Sequence, residues 1–485
     1  VSTATTPEQL DGALAAAALA SDDWAATSRA GRASALGAVA DRLEAAAAEL
    51  VAIAAEETHL TEARLRGELR RAAFQLRLFG DVLEEGGYLD VRIDHADPDW
   101  PMGAPRPDLR RRLEPLGPVL VFSASNFPFA FGVAGGDTAA ALAAGCPVVV
   151  KAHSGHPALS ARTGELVVAA LDEAGAPAGT FAVVLGTESG RRAIVDPRIA
   201  AASFTGSTRA GRELFDLATS RPVPIPFYGE LGSVNPVFVT AAASAARADE
   251  IADRFLASFT LGAGQFCTKP GVLVVPAGSE VLGALQRLTL PEGAPLLNGR
   301  IHRGYVEMLD ELVEHPAVTV LAQGGAPLDP APSPTLLATD ADALLTDMDG
   351  LFRECFGPTA LVVTYRDEAQ LCELARAIDG QLTATLVAEP DDVVVPELVR
   401  LLARRAGRLL WNQWPTGVSV TYAQQHGGPY PATTAPGTTS VGTAAIARFL
   451  RPVAYQGFPV GLLPSELADD VEPSIPRRVN GEVRS

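Results

Sequence analysis

The residue best suited to covalent chemistry is a cysteine. The chain holds four, at 146, 267, 355 and 372. Cys267 lies in Gly262-Ala-Gly-Gln-Phe-Cys-Thr-Lys-Pro-Gly271, a glycine-rich, non-helical stretch after an expected helix. Glycines there let backbone N–H groups approach a reacting atom. Cys146, ahead of a strand, and Cys372, on a helix, fit small buried hydrophobes. Cys355, within Glu354-Cys-Phe-Gly-Pro358, fits either reading. A thiol nucleophile makes covalent catalysis available by splitting one difficult step into two easier ones.

Other residues could support such a thiol. Glu230 stands between glycines in Tyr228-Gly-Glu-Leu-Gly-Ser-Val-Asn-Pro236, after the apolar Pro224–Phe227. A carboxylate near apolar walls can act as a general base; taken alone, the motif reads better as a surface turn. Asn126, in Ser123-Ala-Ser-Asn-Phe-Pro-Phe129, follows a strand, and its amide can donate to an oxyanion. Alone it too is a turn residue. Gly206 and Ser207 end a strand and open a helix, a place where phosphate can rest on a helix N-terminus. No GxGxxG follows the first strand. No histidine lies near Cys267 in sequence, so a Cys–His pair has no local support, although such partners meet in space. His153 and His156 share no ligand pattern with the cysteines, and no metal site is expected.

The bulk properties narrow the field. A net charge of −18 disfavours nucleic acid and anionic membranes as partners. Four cysteines without a CxxC spacing argue against a disulfide framework and for a reducing cytoplasm. The first residues carry neither a basic region nor an apolar signal core. Residues 115–150 carry one charge, Asp137, but their serines, prolines and glycines fit buried strands and a helix rather than a membrane span. Of 39 basic residues only Lys151 and Lys269 are lysine, which marks both as places where a guanidinium would not serve, or as survivors of codon bias.

The elements that must position these groups follow from periodicity. Thr6-Pro7-Glu8-Gln9 reads as a capped helix start, and amphipathic helices fill the first eighty or so residues. Residues 91–114, rich in proline and arginine, read as a linker or extended hairpin. From Val119 apolar strands at 119–122, 147–150, 181–185 and 201–204 alternate with helices. A second alternation begins near residue 245, with a helix at 251–261 and strands at 272–275, 318–321, 360–365 and 384–387. The expected fold class is α/β, with two doubly wound Rossmann-like units built on parallel sheets. The tail from Phe449 reads either as an arm on another subunit or as a wrap on its own domain.

Taken in order, Ser125-Asn-Phe-Pro128, Lys151, Phe204-Thr-Gly-Ser207, Glu230-Leu-Gly232, Gly264-Gln-Phe-Cys267 and Glu354-Cys-Phe-Gly-Pro358 resemble the aldehyde dehydrogenase superfamily. Each motif is weak; the ordered set, spread over most of the chain after residue 115, is specific. The resemblance implies that Cys267 attacks an aldehyde, with Asn126 and the Cys267 N–H holding the oxyanion. Glu230 activates the water that hydrolyses the thioester. Lys151 binds the adenosine ribose, Gly206 and Ser207 lie near the cofactor, Glu354 holds the nicotinamide ribose, and Phe356 packs beside it. It further implies a cofactor-binding domain over 1–242 with an oligomerisation hairpin near 91–114, a catalytic domain over 243–445 and an oligomerisation arm over 446–485, in a dimer or tetramer.

The chain departs from the family pattern at three points. Ala124-Ser125 replaces the frequent Pro-Trp before the asparagine. Ser233 replaces the second glycine after Glu230. Ser154 stands three residues after Lys151, where NAD-preferring members often carry a glutamate, so NADP is favoured over NAD. The segments 151–157, 229–236 and 266–271 are similar to a branch of 2,5-dioxovalerate (α-ketoglutarate semialdehyde) dehydrogenases and NADP-linked fatty-aldehyde dehydrogenases. The former is the expected activity, a small aldehyde the expected partner, and the fatty-aldehyde activity the alternative. A CoA-acylating enzyme and a catalytically silent homologue rank lower, because Cys267, Glu230 and Asn126 occur together.

Overall fold

The computed structural model describes residues 4–470 and 475–484. Residues 1–3, 471–474 and 485, at the ends of the expected first domain and within the expected arm, lie outside the described residues.

Four helices open the chain: α1 (Pro7–Ala26), α2 (Arg29–Ala45), α3 (Ala47–Thr58) and α4 (Glu62–Glu85). Thr6 and Gln9 form the capping box read from the sequence, with Pro7 in the first turn. The hairpin strands β1 (Val91–Asp94) and β2 (Leu109–Pro115) follow. Next come β3 (Val119–Phe122), α5 (Gly136–Ala144), β4 (Val148–Lys151), α6 (Pro157–Glu173), β5 (Phe181–Val184), α7 (Thr187–Val195), β6 (Ala201–Thr205), α8 (Thr208–Thr219) and β7 (Phe227–Glu230). The strands β3 to β7 form one parallel sheet in the order β5-β4-β3-β6-β7.

Strand periodicity explains the layers. Val119, Val121, Val148 and Val150 face a core shared with α2 to α6. Leu120, Phe122 and Val149 face the other way, against Leu10 and Leu14 of α1, Ile194 of α7 and Leu214 of α8. Both faces are buried, so the strands read as continuous apolar runs. Strand order reverses at β3, and in such sheets ligands bind beyond the carboxyl ends of the strands at the reversal. Asn126, Lys151, Gly206 and Glu230 all stand at or just past those ends.

The second sheet starts with β8 (Val237–Val239), ahead of the division expected at 242/243. It adds α9 (Ala241–Thr260), β9 (Val272–Pro276), α10 (Glu280–Arg287), α11 (Gly299–Glu314), β10 (Thr319–Gln323), β11 (Thr335–Asp340), β12 (Thr359–Tyr365), β13 (Gln381–Val387) and β14 (Ala406–Trp411). The order is β10-β11-β12-β9-β8-β13-β14, parallel except for the edge pair β10 and β11. Helix α9 starts well before the expected residue 251: Thr240 accepts a hydrogen bond from Ala243 N–H as its cap, and a non-helical Arg247 kinks the added turns.

The tail folds onto its own chain. β15 (Leu450–Gln456) pairs along the whole of β2, and β16 (Arg477–Val479) and β17 (Glu482–Arg484) extend the hairpin on the β1 side. Of the two readings of the tail, the wrap on its own chain is present, giving a five-stranded sheet in the order β15-β2-β1-β16-β17. No helix among the described residues is long and apolar enough to cross a membrane.

Candidate active site

Glu230 ends β7, the last strand of the first sheet, and the chain then runs through Leu231–Pro236 into β8. The carboxylate therefore sits where the two sheets meet. Cys267 reaches the same place from the other side. After α9 the backbone turns through Gly262, Ala263 and Gly264, all at positive φ. Gly264 has no alternative: a Cβ on it would stand 2.1 Å from the carbonyl oxygen of Gly357.

A residue unsupported by the sequence joins the two. His426 Nε2 lies 3.6 Å from Cys267 Sγ and 2.9 Å from Glu230 Oε1. Ser440 Oγ donates to the other oxygen of Glu230, and His426 is pinned through its N–H to Thr439 Oγ1 at 2.8 Å. Both residues come from the irregular segment 421–442, which folds back over the end of β7 with a bridge between Thr433 and Glu230. His426 and Glu230 are buried, whereas Cys267 is half-buried and can be reached. The ligand-type atoms of Glu230, Cys267 and His426 lie within 4.8 Å of one another. Such a set could hold a thiophilic metal, and it includes neither His153 nor His156, the pair on which the expectation of no metal rested.

The electrostatics fit a thiol that must be activated. Burial, then the charges of Glu230 and Glu354, push the Cys267 thiol well above the ordinary range, while Arg71 draws it back. Burial also works to raise Glu230, but the charge and hydrogen bond of His426, the Ser440 hydroxyl and Arg448 outweigh it and hold the carboxyl below its usual value. The thiol is thus protonated at rest, and an ionised carboxylate that accepts from His426 Nε2–H stands beside it.

Asn126 Nδ2 donates to the carbonyl of Gln265, two residues before Cys267, at 3.0 Å. A side-chain amide has a second N–H. Arg64 holds the Asn126 carbonyl at 2.6 Å. Beside Cys267 and His426 packs an apolar wall of Phe127, Phe131 and Val441, with Phe266, Val418 and Val420 against it.

Ser233, the departure from the glycine pattern, has a task. Its hydroxyl donates to Asn235 Oδ1 at 2.9 Å and accepts from Leu382 N–H at 3.0 Å. Asn235 in turn donates to the carbonyls of Cys267 (2.8 Å) and Lys269 (3.0 Å). Lys269, whose role the sequence left open, is a buried staple. Its ammonium donates to the carbonyls of Cys355 (2.6 Å), Gly357 (3.2 Å) and Thr359 (2.7 Å). Three donors on a compact head match three converging oxygens, which a planar guanidinium would not. The staple holds the loop bearing Glu354 and Phe356.

That loop and the first sheet frame a second set of residues. Glu354 Oε2 stands so close to Gly232 that a Cβ there would lie 2.6 Å away. Burial raises the Glu354 carboxyl to about 7 against the opposing pull of Lys269 and the Ser233 N–H. Phe356 is half-buried. Across from them Ser207 caps α8, accepting from Ala210 N–H at 3.4 Å, and leaves Gly206 and the helix N-terminus exposed. Lys151 ends β4 half-buried, its ammonium lowered by burial and by the charge of Arg300. Ser154 is exposed in the turn before α6. Arg300, at the start of α11, was not singled out in the sequence; the only signal was its place after the Asn298 cap.

The sequence as a whole answers what these residues belong to. The family model described as "Aldehyde dehydrogenase family" matches residues 2–430. The chain belongs to the aldehyde dehydrogenase family. It is an NAD(P)-dependent oxidoreductase acting on an aldehyde. The α-ketoglutaric semialdehyde dehydrogenase of Acinetobacter baylyi is 44% identical over 488 residues, covering 98% of this chain and 91% of that protein. The α-ketoglutaric semialdehyde dehydrogenase 2 of Azospirillum brasilense is 44% identical over 95% of this chain and 89% of its own length. Among solved structures, succinic semialdehyde dehydrogenase from Streptococcus pyogenes, crystallised with NADP+, superposes with a TM-score of 0.77 at 19% identity, covering 94% of this chain and 96% of that one. At that identity the likeness is one of fold.

Proposed function

We propose that the protein oxidises 2,5-dioxopentanoate, the semialdehyde of 2-oxoglutarate, to 2-oxoglutarate, with NADP+ favoured over NAD+. The observation that carries the chemistry is the meeting of Cys267 and Glu230 at one ring nitrogen, His426 Nε2, at 3.6 and 2.9 Å. The choice of aldehyde draws on the two relatives of 44% identity.

Cys267 reacts as the thiolate, its proton passing to solvent, as Sγ bonds to the aldehyde carbon. His426 donates Nε2–H to Glu230 and holds the carboxylate beside the sulfur. Asn126 Nδ2 and the Cys267 N–H receive the oxyanion of the thiohemiacetal. A bound nicotinamide supplies the acceptor for the hydride. Cys267 then carries a thioester. Glu230 takes a proton from water as the new C–O bond forms and the C–S bond breaks, Cys267 leaving as the thiolate.

The residues around Gly206 fit a dinucleotide. The open N-terminus of α8 would take phosphate, Lys151 the adenosine ribose, Glu354 and Phe356 the nicotinamide end. Lys151 and Arg300 set positive charge around Ser154, which favours a 2′-phosphate. Phe458, Val460 and Leu462 are exposed at 48%, 58% and 71% on the arm, and this apolar row supports a homo-oligomer built through it. Four free cysteines, three of them buried, suit a reducing cytoplasm.

The test is a substrate panel with both cofactors, comparing 2,5-dioxopentanoate with pentanal and long-chain aldehydes. The apolar wall beside Cys267 also suits a fatty aldehyde, so a clear preference for long chains overturns the proposed substrate. Formation of acyl-CoA rather than free acid would overturn the hydrolytic half. Full NAD(P)H production by Cys267→Ala would overturn the mechanism.

A further inference from the structure

Helix α4 carries Arg64, Glu68 and Arg71 at a spacing that puts all three on one face. The first two lock that face onto the loop bearing Asn126. Arg64 Nη2 donates to the Asn126 carbonyl, and Arg64 Nε to Glu68 Oε1 at 3.0 Å. The other oxygen of Glu68 accepts from Phe129 N–H at 3.4 Å. Arg71, one turn further along, faces the same loop; Glu68 acts on it by charge, but its oxygens bond Arg64 and Phe129 N–H, and Arg71 makes no ion pair among the described residues. Its guanidinium lies over the ring of Phe131, 5.7 Å from the centroid, and that ring is 6.5 Å from the imidazole of His426. The buried Nε of Arg71 has no hydrogen-bond partner among the described residues. Burial lowers its proton affinity, against the charges of Glu68, Cys267 and Glu230. A half-buried guanidinium in no ion pair, with its Nε unpartnered, is costly, and an incoming anion would relieve it.

We propose that Arg71 is the anchor for the carboxylate of an acidic aldehyde substrate, holding its far end while the aldehyde carbon rests on Cys267. This rests on the reading above that the substrate carries a carboxylate. The fork of the guanidinium can take both carboxylate oxygens, and Phe131 beneath it keeps water from that side. The anchor selects 2,5-dioxopentanoate, and more generally short ω-oxo acids, over neutral aldehydes of the same length.

The experiment compares wild type, Arg71→Met and Arg71→Lys on two matched pairs at saturating cofactor: 2,5-dioxopentanoate with pentanal, and succinic semialdehyde with butanal. The expected result is that Arg71→Met lowers the acid-to-neutral ratio of kcat/KM about 30-fold, chiefly through KM for the acid, with part of the ratio restored by lysine. In parallel, glutarate should protect Cys267 of the wild type from iodoacetamide, and protection should weaken by a similar factor in Arg71→Met and by less in Arg71→Lys. Equal losses on acid and neutral substrates, or an unchanged ratio with unchanged glutarate protection, would overturn the anchor. If Arg71→Met does not fold, Arg71→Lys and the glutarate assay decide alone. A wild type that prefers succinic semialdehyde to 2,5-dioxopentanoate would overturn the proposed substrate and leave the anchor standing. A wild type indifferent to the carboxylate would overturn both.

Discussion

Glu230 Oε1 and His426 Nε2 stand 2.9 Å apart, and both are buried, so the ring N–H fixes the carboxylate that must act as base beside the thiol. The consequence for kinetics is specific. General-base assistance is worth about 100-fold or more. His426→Gln should therefore lower kcat toward that factor while leaving a burst of NAD(P)H, because the loss falls on the base that hydrolyses the thioester. Stopped-flow absorbance at saturating aldehyde checks this; a lost burst would place His426 in the first half-reaction.

Glu230→Gln should pull two observables in opposite directions. Turnover slows after a normal burst, since hydrolysis has lost its base. Cys267, by contrast, becomes easier to alkylate. Burial, then the charges of Glu230 and Glu354, raise the thiol, so less thiolate exists at neutral pH and the wild-type rate with iodoacetamide keeps rising beyond the ordinary thiol range of about 8.5. Removing one negative neighbour shifts that profile to lower pH. An unmoved profile would contradict the proximity.

Lys269→Met should destabilise the protein. The ammonium serves three buried carbonyls, and leaving them without a donor costs about 3 kcal/mol even after partial rehydration. Lys269→Arg should also lose stability, because the planar fork does not meet the three oxygens. Urea unfolding of both variants, with Cys372→Ala as a distant control, measures the effect.

Ser154→Glu should reverse the proposed cofactor preference. A carboxylate placed in that exposed turn repels a 2′-phosphate and accepts from a free 2′-hydroxyl. The KM for NADP+ should rise about tenfold or more, with that for NAD+ steady or lower, in initial-rate assays with each cofactor. Equal changes for both would show that the turn does not contact the adenosine ribose.

Much of this was legible in the sequence, for identifiable reasons. The strands 119–122 and 148–151 were plain because both faces of a parallel sheet are buried, so no polar residue interrupts them. Cys267 and Glu230 were visible because glycines flank them. His426 was not, since it is 196 residues from Glu230 and sits in a segment with no periodicity. Its neighbours Gly427 and Gly428 were the only local hint of a close approach. Lys269 was conspicuous by rarity, yet its partners are main-chain oxygens, which leave no trace in a sequence. Arg71 was hidden among Arg64, Arg66 and Arg70 on one helix, where charge ordinarily means a solvated face.

The scarcity of lysine acquires a chemical meaning once the two are placed. Aldehydes condense with free amines, and an enzyme that handles them is exposed to its own substrate as a modifying reagent. This chain offers only two ε-amines. Lys269 is 3% exposed and spent on carbonyls, and Lys151 is half-buried at the end of β4. Its many surface guanidiniums carry positive charge without forming imines. Imines on side chains therefore converge on one place, and an amine-directed label would report on Lys151 and the α-amine.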